Sequence, residues 1–500
     1  MAYVNDRGGS RFGIARTDGP DDPGLTFLQC PLCGGGLAKA VDSVACRRCR
    51  GVVQAPDGIV DFVAGSSSTT LDDLDYDAFY SISESASRTL FDIIRLAAGP
   101  RWPARLGNAV EIGCGTGGFS SAVLRHTPSD CVVLTDVSSK MLGICRNRLE
   151  RLDDLQTDTI LFATYSGTET CFRPGGFDSC FGTSVVHHIT DVPRLLAQVY
   201  QILKPGGRAF FMEPNARFHR ALTMTLAGIL AEWSPAQTVP EPQISLMLNW
   251  MAEVHCNITN SGDLEILAQR EDKHYFIGEA FEAMAKGAGF TKAIALPCGP
   301  DPTGWNAIEI YFSQVGITGE TFERLRPIWL AAQRDHFGSL AVRDRSPSYL
   351  FWLEKGKRQR AAVPQPAGVA TPRRAETVPI VRMWMTLAIE RRGNDVDLVA
   401  EGWCLASEMV RAVRLTLCGV VRKLPIYLPR PDVHAAMNAG SIFLPLHALC
   451  SGLQGRIPLT DLAIGDGPVA VDVDILTADN CVVPKGRYLV KPNDGNVLVS

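Results

Sequence analysis

The stretch "VEIGCGTGGF", residues 110–119, decides how this chain is read, because its glycines fit two patterns at once. Gly113, Gly115 and Gly118 satisfy G-x-G-x-x-G, whereas Glu111, Gly113, Gly115 and Gly117 satisfy E-x-G-x-G-x-G, with Cys114 inside the loop. Under either pattern, the apolar run before the loop and the small residues after it predict a strand, a tight turn and a helix. Such a junction lets backbone without Cβ atoms approach a ligand closely. The glycines alone do not choose between the patterns.

The surroundings predict a fold. From 76 to 356 short strand-like runs alternate with helical periods, the pattern of βα units on a parallel sheet. Strands are expected at 108–113, 131–136, 159–164, 177–183, 207–213, 292–297 and 348–354, making an α/β, Rossmann-like, seven-stranded domain with helical insertions near 216–272 and 305–347. Asp136 ends the second of these strands, where an acid can take two ribose hydroxyls. That position suits a dinucleotide and S-adenosylmethionine equally. Glu111 separates them: a pyrophosphate favours helix-terminal N–H groups and no carboxylate, whereas the methionine half of S-adenosylmethionine brings an ammonium and a sulfonium that favour negative charge. The competing role for Glu111 is a pairing with a helix terminus or an arginine.

Downstream, "FDSCFGTSVVHHITDVPRLLAQVYQILKPGGRAFFMEPN" (177–215) contains a Phe-Asp opening a strand, "VVHHITD" beyond it, an amphipathic helix and an "LKPGG" turn into the next strand. With "VEIGCGTGG" and "TDVSSKML", this resembles the class I S-adenosylmethionine-dependent methyltransferases of the small-molecule type, over residues 76–356. The resemblance implies that Gly113, Gly115 and Gly117 pass under the cofactor, that Glu111 lies near its methionine end and that Asp136 holds the ribose. It puts Val137 and Met141 beside the adenine. One departure stands out: the family carries an acid after its third strand, and this chain reads "FATYS", leaving Thr164 or Tyr165 at that place.

Methyl transfer needs an aligned nucleophile more than a covalent intermediate, and a hydroxyl acceptor would gain from a general base. His187, His188 and Glu213 fall at the carboxyl edge of the expected sheet, where open α/β sheets bind ligands, and are the candidate bases. Packing or capping explains the histidines equally well. Tyr80 is a candidate for closing over the cofactor.

Toward the N-terminus, Cys30 and Cys33 pair with Cys46 and Cys49 as two C-x-x-C knuckles, which predicts a zinc ribbon at 27–63 with a structural, four-thiolate zinc. The tail "GVVQAPDGIVDF" (51–62) reads as strand, turn and strand. The other eleven of the fifteen cysteines are scattered through apolar segments as small buried hydrophobes. Residues 1–26 read as a flexible tail, and 64–75 and 357–379 as linkers. Residues 380–500 read as an all-β sandwich that resembles accessory domains of bacterial glycosyltransferases, on Gly402-Trp403 and "RPDV" at 430–433.

A formal net charge of −4 offers phosphate no global attraction, so nucleic acid is not the expected partner. A polar start and the lack of a long apolar run predict a cytoplasmic protein without a membrane span. The expected acceptor is a small molecule or a glycan or lipid-linked intermediate. The alternatives are a zinc-ribbon RNA methyltransferase, motivated by Arg47, Arg48 and Arg50, and a non-catalytic cofactor-binding scaffold.

Overall fold

The structure, a computed structural model, describes residues 23–63, 83–167, 169–232, 241–268, 270–299, 318–357, 381–392, 395–437 and 445–498, the last less 460, 461, 463, 465, 466, 479, 480, 492 and 493. Tyr80, the 64–75 linker and all but the flanks of the expected tail and second linker lie outside them. The chain divides into two compact units: residues 1–215, 276–299 and 342–365 form the first, and 216–275, 300–341 and 366–500 the second.

In the first unit, β1 (Leu37–Ala40), β2 (Ser43–Cys46) and β3 (Val52–Gln54) make a small antiparallel sheet that carries the cysteine knuckles. A turn at Pro56–Gly58 leads to β4 (Ile59–Asp61). Helix α1 (Glu84–Ala98) follows, with Ser83 capping its first turn by accepting from the Ala86 N–H. Then come β5 (Gly107–Ile112), α2 (Gly118–His126), β6 (Ser129–Asp136), α3 (Ser139–Glu150), β7 (Thr157–Thr164), β8 (Phe177–Thr183), α4 (Val192–Ile202) and β9 (Leu203–Pro214). Strands β10 (Lys292–Cys298) and β11 (Ser348–Glu354) complete the large sheet.

Its order is β10-β11-β9-β8-β5-β6-β7-β4, with β11 antiparallel to both neighbours and the other pairings parallel. All seven expected strands are present. The eighth, β4, comes from the cysteine-rich segment, so the strand after the Pro-Asp-Gly turn adds to the large sheet rather than to its own small one.

Both faces of the sheet are buried, as crossover helices require. On one face Phe181, Phe210 and Trp352 occupy one row across β8, β9 and β11 and stack nearly parallel at 5.4 and 5.5 Å between centroids. Phe119, in the first turn of α2, meets Phe181 edge-on at 6.1 Å. Each such ring, almost wholly buried, contributes about 2–3 kcal/mol by leaving water. This row therefore fixes the start of α2, directly after the glycine loop.

In the second unit, helices Ala216–Glu232, Glu241–Thr259 and Gly319–Phe337 share a core with Phe218, Met251 and Trp329 at its centre. The β-rich tail forms two antiparallel sheets, one of β12 (Val381–Arg392), β13 (Asp395–Ala406) and β16 (Gly452–Pro458). The other contains β14 (Val410–Leu417), β15 (Val420–Pro425), β17 (Val469–Thr477), β18 (Val482–Lys491) and β19 (Asp494–Leu498). The helical insertions thus group with the tail in the second unit. Trp403 is half-buried against Leu405, Val433 and Ala448, and Arg430 pairs with Asp432 inside its own turn. No helix among the described residues is long and apolar enough to cross a membrane.

Candidate active site

The glycine loop lies at the carboxyl end of β5, and its conformation explains its composition. Gly113, Gly115 and Gly117 have φ of 67°, 53° and 81°, in the left-handed region that side chains resist. A Cβ on Gly113 would stand 2.2 Å from Val185 Cγ2, and one on Gly117 would stand 2.6 Å from Cys145 Sγ. A Cβ on Gly115 would meet nothing within 4 Å, so the middle of the loop faces open space. Gly118 is instead the first residue of α2. Cys114 is buried, and burial, with Cys145 beside it, pushes its thiol up and keeps it neutral.

Asp136 ties the loop to the next strand. Its carboxylate accepts from the Gly115 N–H at 2.9 Å and the Ser138 N–H at 3.0 Å, while Ser138 caps α3 by accepting from the Met141 N–H. Val137 is 39% exposed at this edge, and Met141 is buried in the first turn of α3.

Glu111, one residue from the end of β5, is 1% exposed. Its carboxyl accepts a 2.5 Å hydrogen bond from Ser120 and has no cationic partner among the described residues. No arginine pairs with it among the described residues, and its partner Ser120 lies in the first turn of α2. Burial, with Asp136 nearby, pushes its pKa up to about 8 against the opposing pull of Ser120. A buried acid held this way is poised to ionise when a cation arrives.

Thr164 and Tyr165 do not share a role. Thr164 ends β7, donates to Asp61 Oδ1 at 2.6 Å and accepts from the Val63 N–H at 3.0 Å. Tyr165 turns the other way into the core, its hydroxyl donating to Gln198 Oε1 at 2.8 Å and its ring edge-on to Phe172. The two residues, Thr164 ending β7 and Tyr165 just beyond it, thus face different surroundings.

Beyond β8, His187 and His188 sit on a short 3-10 turn, their rings 4.1 Å apart. Glu213, 1% exposed at the end of β9, receives the N–H groups of Val185, Val186 and His187 at 3.0, 2.7 and 3.3 Å. It also lies 2.6 Å from His187 Nδ1. With four donors converging on it, Glu213 is a fixed carboxylate that orients the turn. Its oxygens are engaged by the turn that carries His187, another candidate base. Against an ionised Glu213 the Nδ1 nitrogen is the donor, which leaves Nε2 as the acceptor of a neutral ring.

In the small sheet, Cys30 Sγ is 3.6 Å from Cys49 Sγ and Cys33 Sγ is 3.4 Å from Cys46 Sγ, with all four within 4.8 Å of one another. A tetrahedron with bonds of about 2.3 Å has edges near 3.8 Å, so the four sulfurs fit a zinc ion. The N–H groups of Arg48 and Cys49 point at Cys46 Sγ, at 3.3 and 3.4 Å, and that of Gly51 points at Cys49 Sγ at 3.4 Å. The Cys49 N–H above all pulls the Cys46 thiol down to about 6, whereas Cys49, despite the Gly51 N–H, is pushed up to about 12 by the sulfurs of Cys33, Cys30 and Cys46. Ten of the other eleven cysteines are buried, and Cys418 is exposed.

Sequence reasoning missed Ser120 and Asp61 as partners of the site. Ser120 was within reach, because it lies in the first turn of the helix that the loop opens.

Residues 110–209 match a family described as a methyltransferase domain. Malonyl-acyl-carrier-protein O-methyltransferase 1 of Ilyobacter polytropus is 27% identical over 251 residues, 50% of this chain and 81% of that protein. The reducing polyketide synthase Preu2 of Preussia isomera is 26% identical over 141 residues, and this chain spans only 6% of its length. Among solved structures, a Mesorhizobium loti S-adenosylmethionine-dependent methyltransferase aligns over 53% of this chain and 96% of its own, at 17% identity and TM-score 0.31. A complex of the Haloferax volcanii Trm112 methyltransferase activator with a methyltransferase aligns over 58% of this chain, at 13% identity and TM-score 0.36.

The sheet order and the match at 110–209 define a class I methyltransferase domain in the first unit. The matched stretch runs from the end of β5 through the glycine loop into β9.

Proposed function

We propose that the chain transfers a methyl group from S-adenosylmethionine to a hydroxyl of a small molecule or of a glycan or lipid-linked intermediate, in the cytoplasm. One observation carries the reading: a buried carboxylate, Glu111, lies without a cation beneath a loop that only glycines can form. In this reading Glu111 faces the ammonium of the cofactor, Gly113, Gly115 and Gly117 pass beneath it, and Asp136 takes the ribose diol. Val137 and Met141 border the adenine.

The cofactor supplies an electrophilic methyl group, and the chain aligns the acceptor with it. His187, its tautomer set by Glu213, takes the proton from the acceptor hydroxyl, while His188 packs against it and shapes that edge. Zinc on Cys30, Cys33, Cys46 and Cys49 is structural, since four thiolates leave no open coordination position. The β-rich tail supplies glycan context. The similarity to an acyl-carrier-protein O-methyltransferase agrees with an oxygen acceptor.

The test has two parts. Titration of the zinc-replete protein with S-adenosylhomocysteine should give binding heat, and no heat would remove the cofactor assignment. A tritiated-methyl screen of cell fractions divided into RNA, lipid and polysaccharide then names the acceptor class, and label confined to RNA would replace the small-molecule reading by the ribbon-containing RNA methyltransferase.

A further inference from the structure

The sequence leaves the carboxyl end of β7 without an acid of its own, and the structure brings one there from a hundred residues away. Strand β4 pairs in parallel with β7, with Ile59 opposite Phe162, Val60 opposite Ala163 and Asp61 opposite Thr164. Thr164 is also opposite Asp136 on β6. Residues in register on neighbouring strands face the same side, so Asp136, Thr164 and Asp61 form one row along the carboxyl edge. The outer two are separated by two strand spacings, about 9.5 Å, which is the scale of an adenosine from its ribose diol to its amino group.

The carboxylate of Asp61 is set for a ligand. Oδ1 is held by the Thr164 hydroxyl at 2.6 Å, which fixes the side chain, and Oδ2 meets no donor among the described residues. The other acid nearby, Glu169, is already engaged at both oxygens by its own turn, Oε2 by the Ser166 N–H at 2.8 Å and Oε1 by the Ser166 hydroxyl.

We infer that Asp61, carried on the strand that leaves the cysteine-rich segment, receives the adenine amino group of the cofactor, so that this segment forms part of the cofactor site. Thr164 is a positioning residue that acts through Asp61. The inference rests on the cofactor reading above. It also connects the cysteine cluster to binding, because holding β1 to β3 folded keeps β4 in register, and through it Asp61 in place.

The test compares S-adenosylhomocysteine with S-inosylhomocysteine, whose purine carries an oxygen where adenine carries its amino group, by calorimetric titration of the full chain. The wild type should favour the amino form. Asp61→Ala and Asp61→Asn should each weaken S-adenosylhomocysteine binding about tenfold to a hundredfold, the worth of a hydrogen bond to a charged group, and leave the inosine form nearly unchanged. Asp61→Asn keeps an oxygen for Thr164, so it decides the matter if the alanine variant does not fold. Preference retained in Asp61→Asn, or lost only in Glu169→Gln, overturns the inference. Absence of S-adenosylhomocysteine binding by the wild type would instead sink the cofactor reading itself, a different result from binding that ignores Asp61.

Discussion

Replacing Glu111 by glutamine tests the electrostatics of the site. Burial raises its pKa from 4.5 to about 8, so at pH 7 about nine-tenths of the protein without cofactor holds this carboxyl protonated. The shift amounts to about 5 kcal/mol between the two protonation states. Because the folded pKa lies above the unfolded one, the stability it contributes is complete below pH 4.5 and is lost as the pH rises through about 8. A bound ammonium reverses this preference by favouring the ionised form. Binding of S-adenosylhomocysteine should therefore release about one proton per site near pH 7, and its affinity should climb about tenfold per pH unit up to pH 8 before levelling. The proton count comes from calorimetry in buffers of different ionisation heat. Glu111→Gln keeps an oxygen for Ser120 but has no charge to offer. It should release no proton, bind about ten to a hundred times more weakly at pH 8.5, and lose less ground at pH 6, where the wild type must still ionise. Equal affinity across the whole range, or no proton release by the wild type, would refute the assignment of Glu111 to the cationic end of the cofactor.

Other perturbations separate structure from chemistry. Gly113→Ala combines a left-handed φ with a Cβ driven into Val185, so denaturant titration should find it less stable by about 2 kcal/mol or more and unable to bind S-adenosylhomocysteine. His187→Gln should cut turnover about a hundredfold or more while leaving cofactor affinity within about twofold; unchanged turnover would mean the ring only packs. Cys33→Ser or Cys46→Ser should remove zinc, read by metal analysis, and lower the melting temperature by several degrees, the scale expected for a few kcal/mol. A melting temperature indifferent to metal would show that the small sheet stands without it.

Seven strands of the large sheet were legible because each announces itself locally, as an apolar run closed by a turn. Valines and isoleucines at 108–113 or 131–136 have no other use at that spacing. The glycine loop and Asp136 were legible for the same reason. Pairing between β4 and β7 was not, since three residues of a short strand carry no sign of which edge they will join across a hundred positions. That is why Asp61 escaped notice and Thr164 looked unaided. The inward turn of Tyr165, just beyond the end of β7, was not legible either, since alternation stops where the strand does. Glu213 is subtler: its residue type fits a base, and only the convergence of three amides and an imidazole shows that it holds others in place.

Strand β4 has a consequence for solubility. Without it, Phe162, Ala163 and Thr164 would present bare backbone donors and acceptors at the rim of a large apolar sheet, the kind of surface that recruits strands from other molecules. A segment stapled by four cysteines covers that rim. Under the proposed zinc assignment, chains made without the metal would fail first by self-association, with the loss of any chemistry coming second.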